Sequence, residues 1–407
     1  MAEPQTIPEP TAAAGAPDNR PVLAVVTGTI TPYRVHFHKR LARELTQLKL
    51  ATLITHEAAH GLWNLGDIPE LNIHEFGAGP AAKNASRVET FKRELAKARK
   101  LRAWLDANPV KVLVCIGYNE LPFLAALSWA KEHGVPCYIW TDSNARSEKA
   151  EGLKKLSKKI FIPGVAKGCT GVFACGSFGK EYFLSYGVPE SKIFISPYEP
   201  DYDQIDAIPR AYLDEVAAKF RLDPTRKRIV ACSRLIPVKR VDQAIDAFAR
   251  LAEKRPDWDL LIVGDGPLAG ELKARVPEGL RSRVQFTGFV GDQKVVSALY
   301  RASHVMVHPS IYEPWALVIN EAVAAGLAIV TTDVVGAAAE LVRDKVSGRI
   351  YRAGDLDSLA ECLLDATDAA TCERYRAHTR PVLNDWRRTA DPVEGFRIAF
   401  RAAGLKL

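Results

Sequence analysis

The sequence predicts an α/β protein with two consecutive domains, each built on a doubly wound parallel sheet. Short apolar, β-branched runs alternate with longer amphipathic stretches, which is the pattern of repeated βαβ units. The alternation restarts after about residue 200. The length of 407 residues is sufficient for two or three domains. We therefore expect two Rossmann-like sheets facing each other across a cleft.

The strands are predicted from apolar runs that lack polar alternation, because a strand covered by helices on both sides is buried on both faces. In the first half these runs are PVLAVVTG, KLATLITH, VKVLVCIG, PCYIWTD, GVFACG and KIFISP. In the second half they are RIVACSR, DLLIVGDG, VQFTGF, VMVHPS and AIVTTD. Helices are predicted between them, for example at HFHKRLARELTQL, TFKRELAKARKLRAWLDAN, VDQAIDAFARLAEKR and NEAVAAGL.

Four segments follow from this pattern. Residues 1–20 are rich in Ala, Pro, Glu and Thr without periodicity, which predicts a disordered tail. Residues 21–200 form the first domain and residues 201–390 the second, joined near the proline-containing and acidic stretch YEPDYDQIDAIP. Residues 391–407 include an amphipathic helix that we expect to pack back across the join.

Composition excludes several classes of protein. The hydrophobic share of 47% and the charged share of 25% are those of an ordinary globular protein. No apolar run reaches the 18 to 20 residues of a membrane span, and the first residues lack the apolar core of a secretory signal. Seven cysteines without a CxxC pair argue against a disulfide framework or a zinc ribbon. We expect a cytoplasmic protein, peripheral at most on the inner face of a membrane.

Most of the net charge of +7 lies in the first 200 residues, and its densest stretch is GLKKLSKKIFIPGVAKG. Clustered lysines of this kind bind anionic lipid, so peripheral contact with an anionic membrane is one interpretation. A solvated helix face is the other, and the sequence leaves both open. No signature of a nucleic-acid-binding module accompanies the charge, so no nucleic-acid partner is expected.

Two cations and two glycines follow strands of the predicted second sheet, where ligands of doubly wound sheets bind. Arg234 and Lys239 come after the strand RIVAC and suit the oxygens of a diphosphate, although surface charge explains them as well. Gly264 and Gly266 come after the strand LLIV and permit a backbone to approach a ligand closely. A tight junction without a ligand remains an equal alternative.

A third constellation follows the strand that ends at Val307. Glu313 lies in the loop, Pro314 precedes a predicted helix, and Glu321 lies on that helix. Eight residues separate the two acids, a little over two helical turns, so both can face one cleft. The free amides of residues 316–318 would form an anion site at the helix N-terminus. An acid here can accept hydrogen bonds from sugar or ribose hydroxyls.

Together these pieces resemble the C-terminal domain of the retaining group 1 (family four) glycosyltransferases, which have the GT-B fold. The matching elements are Arg-x4-Lys after a strand, Gly-x-Gly-Pro after the next, and Glu-x7-Glu, with the segment FTGFV between them. The match is strong over residues 228–350 and weak elsewhere.

The resemblance implies a role for each matching position. Arg234 and Lys239 would stabilise the leaving diphosphate, and Glu313 would bind the donor sugar. These three are the expected catalytic residues. The expected donor-binding residues are Glu321 at the ribose, Phe289 and Val290 at the base, the amides of Ala316, Leu317 and Val318, and the glycines Gly28, Gly264 and Gly266.

The chain departs from the family's pattern at two positions. The family usually has glycine where this chain has Ala316, and a methyl group there would tighten the sugar pocket or shift the loop. Many members carry a histidine after the fourth strand of the first domain, where this chain reads Ile-Gly-Tyr-Asn-Glu over residues 116–120. Both departures bear on activity.

The acceptor side is expected in the first domain. Arg34 follows the first strand in the loop GTITPYR and would contact either acceptor or phosphate. Tyr118 and Asn119 occupy the position of the family's histidine. Asp142 begins the triplet Asp-Ser-Asn, which suits either the binding of sugar hydroxyls or a helix N-cap.

These observations predict a retaining transferase that moves a hexose-type sugar from a nucleotide-diphosphate donor, UDP- or GDP-linked, to a hydroxyl acceptor. The acceptor would be a cell-surface polysaccharide or a lipid-linked glycan precursor. No cofactor is expected, and no metal site is predicted. Two alternatives remain at this level: a non-catalytic binding or scaffold protein with the same fold, and a sugar-nucleotide epimerase.

Overall fold

The computed structural model describes residues 18–56, 68–77, 86–148 and 150–406. All but the last three residues of the predicted disordered tail lie outside these ranges. Two parallel sheets with helices on both faces confirm the predicted fold class.

The first sheet has seven strands. They are Val22–Thr27 (β1), Lys49–Ile54 (β2), Ile73–Glu75 (β3), Val110–Cys115 (β4), Cys137–Thr141 (β5), Gly171–Ala174 (β6) and Ile193–Ile195 (β7). The helices between them are Pro32–Glu44 (α1), Arg87–Asp106 (α2), Leu121–Glu132 (α3), Gly152–Gly168 (α4) and Ser177–Ser185 (α5).

Two helices, Tyr202–Asp206 (α6) and Arg210–Lys219 (α7), lead to a second sheet of six strands. The strands are Lys227–Cys232 (β8), Trp258–Val263 (β9), Val284–Gly288 (β10), Val305–His308 (β11), Ala328–Thr332 (β12) and Gly348–Tyr351 (β13). The remaining helices are Val241–Leu251 (α8), Ala269–Arg275 (α9), Gln293–Arg301 (α10), Leu317–Ala324 (α11), Gly336–Leu341 (α12), Leu356–Ala366 (α13), Ala369–Thr389 (α14) and Pro392–Ala402 (α15).

Each sheet reverses its winding once. The strand orders are β3-β2-β1-β4-β5-β6-β7 and β10-β9-β8-β11-β12-β13, and every recorded pair is parallel. The reversal therefore lies between β1 and β4 in the first sheet and between β8 and β11 in the second. Ligands of such sheets bind where the strands end beside this reversal. The segments that follow β8 and β11 are those that carry Arg234 and Glu313.

Every apolar run proposed as a strand contains one, but β3 and β13 were not predicted. Both are short edge strands, and β3 reads Ile-His-Glu, so neither has the apolar run that the prediction required. Among the described residues, no helix is both long and apolar enough to span a membrane.

One buried cluster runs through both domains and includes the last helix. It contains Phe173 of the first sheet, Trp315 of the second domain and Phe396 of α15. The rings of Phe396 and Phe173 stack with centroids 4.2 Å apart, and the Tyr138 hydroxyl donates to the Ala399 carbonyl oxygen at 2.8 Å. Helix α15 therefore belongs to the core of the first sheet although it follows the second domain in the chain.

Replacing Phe396 with alanine should destabilise the protein by about 3–5 kcal/mol, because it removes a fully buried ring and leaves a cavity. Urea-induced unfolding followed by tryptophan fluorescence measures the effect. Ile398→Ala, at an exposed position of the same helix, is the control and should stay within about 0.5 kcal/mol of the parent. Equal effects in the two variants would contradict the packing of α15 described above.

Candidate functional site

Three adjoining cavities lie along the cleft between the sheets. The central cavity, of about 350 Å³, is bounded by the loops after β8 and β11 and by the start of α11. The hinge cavity, of about 830 Å³, lies beside the segment that joins the domains, and it shares Tyr33 with the central cavity. The outer cavity, of about 330 Å³, lies toward α4 and shares Asp142 with the central cavity. A ligand longer than one cavity can thus occupy neighbouring ones.

The loop after β11 is fixed by hydrogen bonds from neighbouring segments. Thr332 donates through its hydroxyl to the Ser310 carbonyl oxygen at 2.7 Å, and Ser310 donates through its own hydroxyl to the Val238 carbonyl oxygen at 3.1 Å. These contacts join the loop to β12 and to the segment that carries Lys239. The positions of Glu313 and Lys239 are therefore coupled through the backbone.

Glu313 lies at the centre of a buried charged cluster. Its carboxylate is 2.9 Å from Nε2 of His308 and also accepts a hydrogen bond from Lys239 Nζ. Burial alone would raise the pKa of Glu313, but the hydrogen bond from His308 and the positive charge of Lys239 hold it at about 2. The carboxylate is thus ionised at neutral pH and able to accept hydrogen bonds from hydroxyl groups.

Arg234 lines the central cavity with an exposed side chain. Within the described part of the chain, its guanidinium forms no hydrogen bond or ion pair. The loop that carries it is packed against the Gly-x-Gly turn: a Cβ atom at Gly264 would lie 2.0 Å from the Ser233 carbonyl oxygen, and one at Gly266 would lie 2.6 Å from that of Leu235. These two glycines therefore make room for the arginine loop, as in a tight junction, and their approach to a ligand stays a prediction.

Helix α11 begins at Leu317, and the residues at its start line the central cavity. The first amides of a helix have no acceptor within it, so those of Leu317 and Val318 are available to an anion. Ala316 precedes the helix with φ of 79°, a left-handed conformation that favours glycine. Holding alanine there costs about 1 kcal/mol or more, and its methyl group lies at the cavity wall.

Glu321 lines the hinge cavity rather than the central one. The expectation that both glutamates face one cleft holds, but they line separate, adjoining cavities in it. The side-chain amide of Gln293 donates to the Glu321 carboxylate at 2.8 Å. Burial raises the pKa of Glu321 to about 7, because the nearby Tyr300 and Gln293 side chains only partly compensate for the lost hydration of the carboxylate.

The residues predicted on the acceptor side separate in the structure. Tyr118, Asn119 and Asp142 line the outer cavity, and burial raises the pKa of the Asp142 carboxyl group. Arg34 does not line any of the three cavities. Its guanidinium donates to the Thr27 hydroxyl at 2.9 Å and to the Thr29 carbonyl oxygen at 2.7 Å, so it braces the loop after β1.

Five residues predicted at the donor lie outside the linings of these cavities, and two of them are Gly264 and Gly266 of the turn described above. A Cβ atom at Gly28 would lie 2.9 Å from the His56 ring, so the missing side chain makes room for that ring. Phe289 is exposed and Val290 is half-buried. The next residue in the chain, Gly291, lines the hinge cavity. The base-binding role of Phe289 and Val290 remains a prediction.

The chain is similar to known proteins in its second domain and over most of its length. Residues 226–368 match the family model for glycosyl transferases group 1. A lipopolysaccharide core biosynthesis mannosyltransferase of Rhizobium meliloti is 32% identical over 294 residues, which cover 65% of this chain and 77% of that protein. The chain belongs to the group 1 glycosyltransferases.

Two further comparisons, one of sequence and one of structure, show how far the likeness extends. An exopolysaccharide phosphotransferase of Streptomyces coelicolor is 35% identical over 161 residues, which cover 39% of this chain but only 17% of that larger protein. The crystal structure of Anabaena HepE in complex with UDP and glucose superposes with a TM-score of 0.71 at 16% identity, over 95% of this chain and 100% of that one. The second comparison establishes the shared two-sheet fold.

Three residues of this glycosyltransferase, Asn144, Ser147 and His308, gain importance only in the structure. The Asp-Ser-Asn triplet is not a helix N-cap, because α4 begins at Gly152. Instead the Asn144 amide donates to the Glu313, Pro314 and Val334 carbonyl oxygens at 3.0–3.3 Å, and the Ser147 hydroxyl accepts from the Glu313 amide at 3.1 Å. The sequence carries no signal for a contact between domains. His308 adjoins the motif that predicted Glu313, and its position at the end of a strand was the available signal.

The raised pKa of Glu321 predicts how stability changes with pH. Between the ordinary value of 4.5 and about 7 the folded protein binds more protons at this group than the unfolded chain, so rising pH lowers the free energy of unfolding. The loss is complete above pH 7 and amounts to about 3 kcal/mol.

Glu321→Gln removes this titration, so the variant should gain stability relative to the parent as pH rises through that window. Urea unfolding at several pH values measures the difference between the two proteins. Glu271→Gln, at an exposed position of α9, is the control and should follow the parent at every pH. A constant difference between Glu321→Gln and the parent would show that Glu321 is ionised throughout.

Proposed function

We propose that this glycosyltransferase transfers a hexose from a nucleoside-diphosphate donor to a hydroxyl acceptor with retention of the anomeric configuration. The observation that carries the proposal is the convergence of Arg234, Lys239 and the α11 amides with the ionised Glu313 on the central cavity. Cations and amides suit a diphosphate, and a carboxylate suits the hydroxyls of a sugar. One cavity therefore offers both kinds of partner side by side.

The donor would extend through two cavities. Its nucleoside would lie in the hinge cavity, with the ribose diol donating to Glu321, and its diphosphate would lie in the central cavity. Tyr33, which lines both, would flank the connection between them. The solved HepE complex with UDP and glucose and the mannosyltransferase relative support a nucleotide-sugar donor, UDP- or GDP-linked.

Transfer breaks the bond between the anomeric carbon and the diphosphate and forms a bond from that carbon to an acceptor oxygen. Arg234 and Lys239 would stabilise the charge that develops on the leaving diphosphate. Lys239 can contact Glu313 and a phosphate together, since an ammonium group has three donors. Asp142 lines both the central and the outer cavity, so it would hold the acceptor hydroxyl and accept its proton.

The acceptor would be a cell-surface polysaccharide or a lipid-linked glycan precursor in the cytoplasm. Its binding region would be the outer cavity, where Tyr118 and Asn119 provide hydrogen-bonding groups beside Asp142. Peripheral contact with an anionic membrane would follow from the lysines of α4. The relatives named as a lipopolysaccharide core biosynthesis mannosyltransferase and an exopolysaccharide phosphotransferase support this class of acceptor.

The donor site can be tested by thermal stabilisation with UDP, GDP and ADP. One of the three should raise the melting temperature by several degrees, since a ligand that binds only the folded state stabilises it. Arg234→Ala should lose most of that shift while melting like the parent without nucleotide, because the side chain is exposed.

Arg281→Ala, an exposed arginine on another loop, is the matched control and should keep the full shift. If none of the nucleotides changes the melting temperature, the donor assignment fails and a non-catalytic scaffold becomes the better interpretation. If Arg234→Ala keeps the shift, the diphosphate lies elsewhere.

A further inference from the structure

The first half of α4 exposes an apolar face to solvent. Leu153, Leu156 and Ile160 are 85%, 55% and 73% exposed, and their spacing of i, i+3 and i+7 puts them on one side of the helix. The side that packs on the protein is a different one, with Ile162 and Ala166 buried against the first sheet. Exposed apolar stripes of this kind mark surfaces that a binding partner covers.

A second apolar pair lies at the start of α2. Val88 and Phe91, at i and i+3, are 62% and 60% exposed. Helices α2 and α4 follow β3 and β5 of the same parallel sheet, and both contribute to the buried cluster on the same face of that sheet. Both helices begin at the carboxyl ends of the strands, and α3, which contacts both of them, separates the two apolar patches. The five residues together are named the exposed apolar surface.

Exposed cations border both parts of this surface. Lys154, Lys155 and Lys159 lie on α4, and Arg87 and Lys92 lie on α2. Lys158 is not counted, because it pairs with Glu148 at 3.0 Å. Apolar side chains on one face with basic residues beside them are typical of helices that lie in the interface of an anionic bilayer.

The cations beside the exposed apolar surface indicate which partner covers it. A second copy of this chain, docked by a two-fold axis, would bring the same lysines against each other. An apolar peptide would cover the leucines but leave the cations without partners. An anionic lipid surface satisfies both, since acyl chains take the apolar side chains and head groups take the ammonium and guanidinium groups.

The outer cavity opens beside the same helix. Lys154 and Lys158 of α4 line it, and the ring of Phe161 lies 6.1 Å from that of Tyr118 in its wall. A molecule held at the bilayer surface would therefore reach the cavity along α4. This step rests on the proposed function, in which the outer cavity receives the acceptor.

We propose that the exposed apolar surface inserts into an anionic bilayer and that the outer cavity draws its acceptor, an amphiphile with a hydroxylated head group, from that bilayer. Insertion differs from attraction by charge alone, because apolar side chains that have entered the bilayer are not displaced by salt. The two modes can thus be separated experimentally.

Co-sedimentation of the full chain with vesicles tests the insertion. We expect binding to vesicles of equal parts phosphatidylglycerol and phosphatidylcholine and little binding to phosphatidylcholine alone. Leu153→Ser combined with Ile160→Ser should weaken binding about tenfold at low and high salt. Lys155→Glu combined with Lys159→Glu should weaken it at low salt. Ile398→Ser, an exposed isoleucine of α15, is the matched control and should bind like the parent.

Undiminished binding by the Leu153 and Ile160 variant would overturn insertion, and so would absence of binding by the parent. Dimers of the parent that the same variant abolishes, seen by light scattering without vesicles, would assign the surface to a second copy instead. The nucleotide melting shift of the variant separates this result from the donor site, because neither Leu153 nor Ile160 lines the central, hinge or outer cavity. Loss of vesicle binding with an intact shift is the expected combination.

Discussion

The site depends on hydrogen bonds by which the first domain fixes the loop that carries Glu313 in the second domain. The amide of Asn144 reaches the backbone on both sides of Pro314, and Ser147 accepts from the Glu313 amide. On the other flank, the Trp315 indole donates to the Tyr198 carbonyl oxygen at 2.9 Å. The loop that carries Glu313 is thus fixed by both domains. A change in their relative position must therefore alter the site itself.

The charged side chains of the site differ in burial and in the number of partners they have. Glu313 is ionised and satisfied by His308 and Lys239, whereas Arg234 is exposed in the same cavity and Glu321 is buried with its pKa raised. Ala316 adds a strained left-handed backbone at the start of the helix. The burial of Glu321 and the backbone strain at Ala316 cost stability where ligands are expected to bind, which is the usual location for such costs in a folded protein. A bound diphosphate would give Arg234 a partner, and a ribose diol would donate to the Glu321 carboxylate.

The two parallel sheets were predictable because parallel strands buried on both faces leave long apolar runs, whereas the order of the strands within each sheet came from the structure. The edge strands β3 and β13 lack such runs and became visible only through their pairing. Arg234, Glu313 and Glu321 were found from their spacing after strands and from a family resemblance. The contacts of Asn144 were not predictable, because its partners are carbonyl oxygens some 170 residues later, which carry no side-chain signature. The contacts of Arg34 were not predictable either, although its acceptors, the Thr27 hydroxyl and the Thr29 carbonyl oxygen, are close to it in the sequence.

The exposed apolar surface shows the same limit of sequence reasoning. The clustered lysines suggested either a lipid contact or a solvated helix face, and the sequence left both open. Only the structure shows that Leu153 and Ile160 face away from the protein while Ile162 faces the sheet.

A crystal structure with the stabilising nucleoside diphosphate bound tests the central claim most directly. We expect the diphosphate within hydrogen-bonding distance of Arg234, Lys239 and the first amides of α11, and the ribose diol at Glu321. A nucleotide bound outside the central and hinge cavities, with Arg234 still without a partner, would contradict the assignment of the donor site.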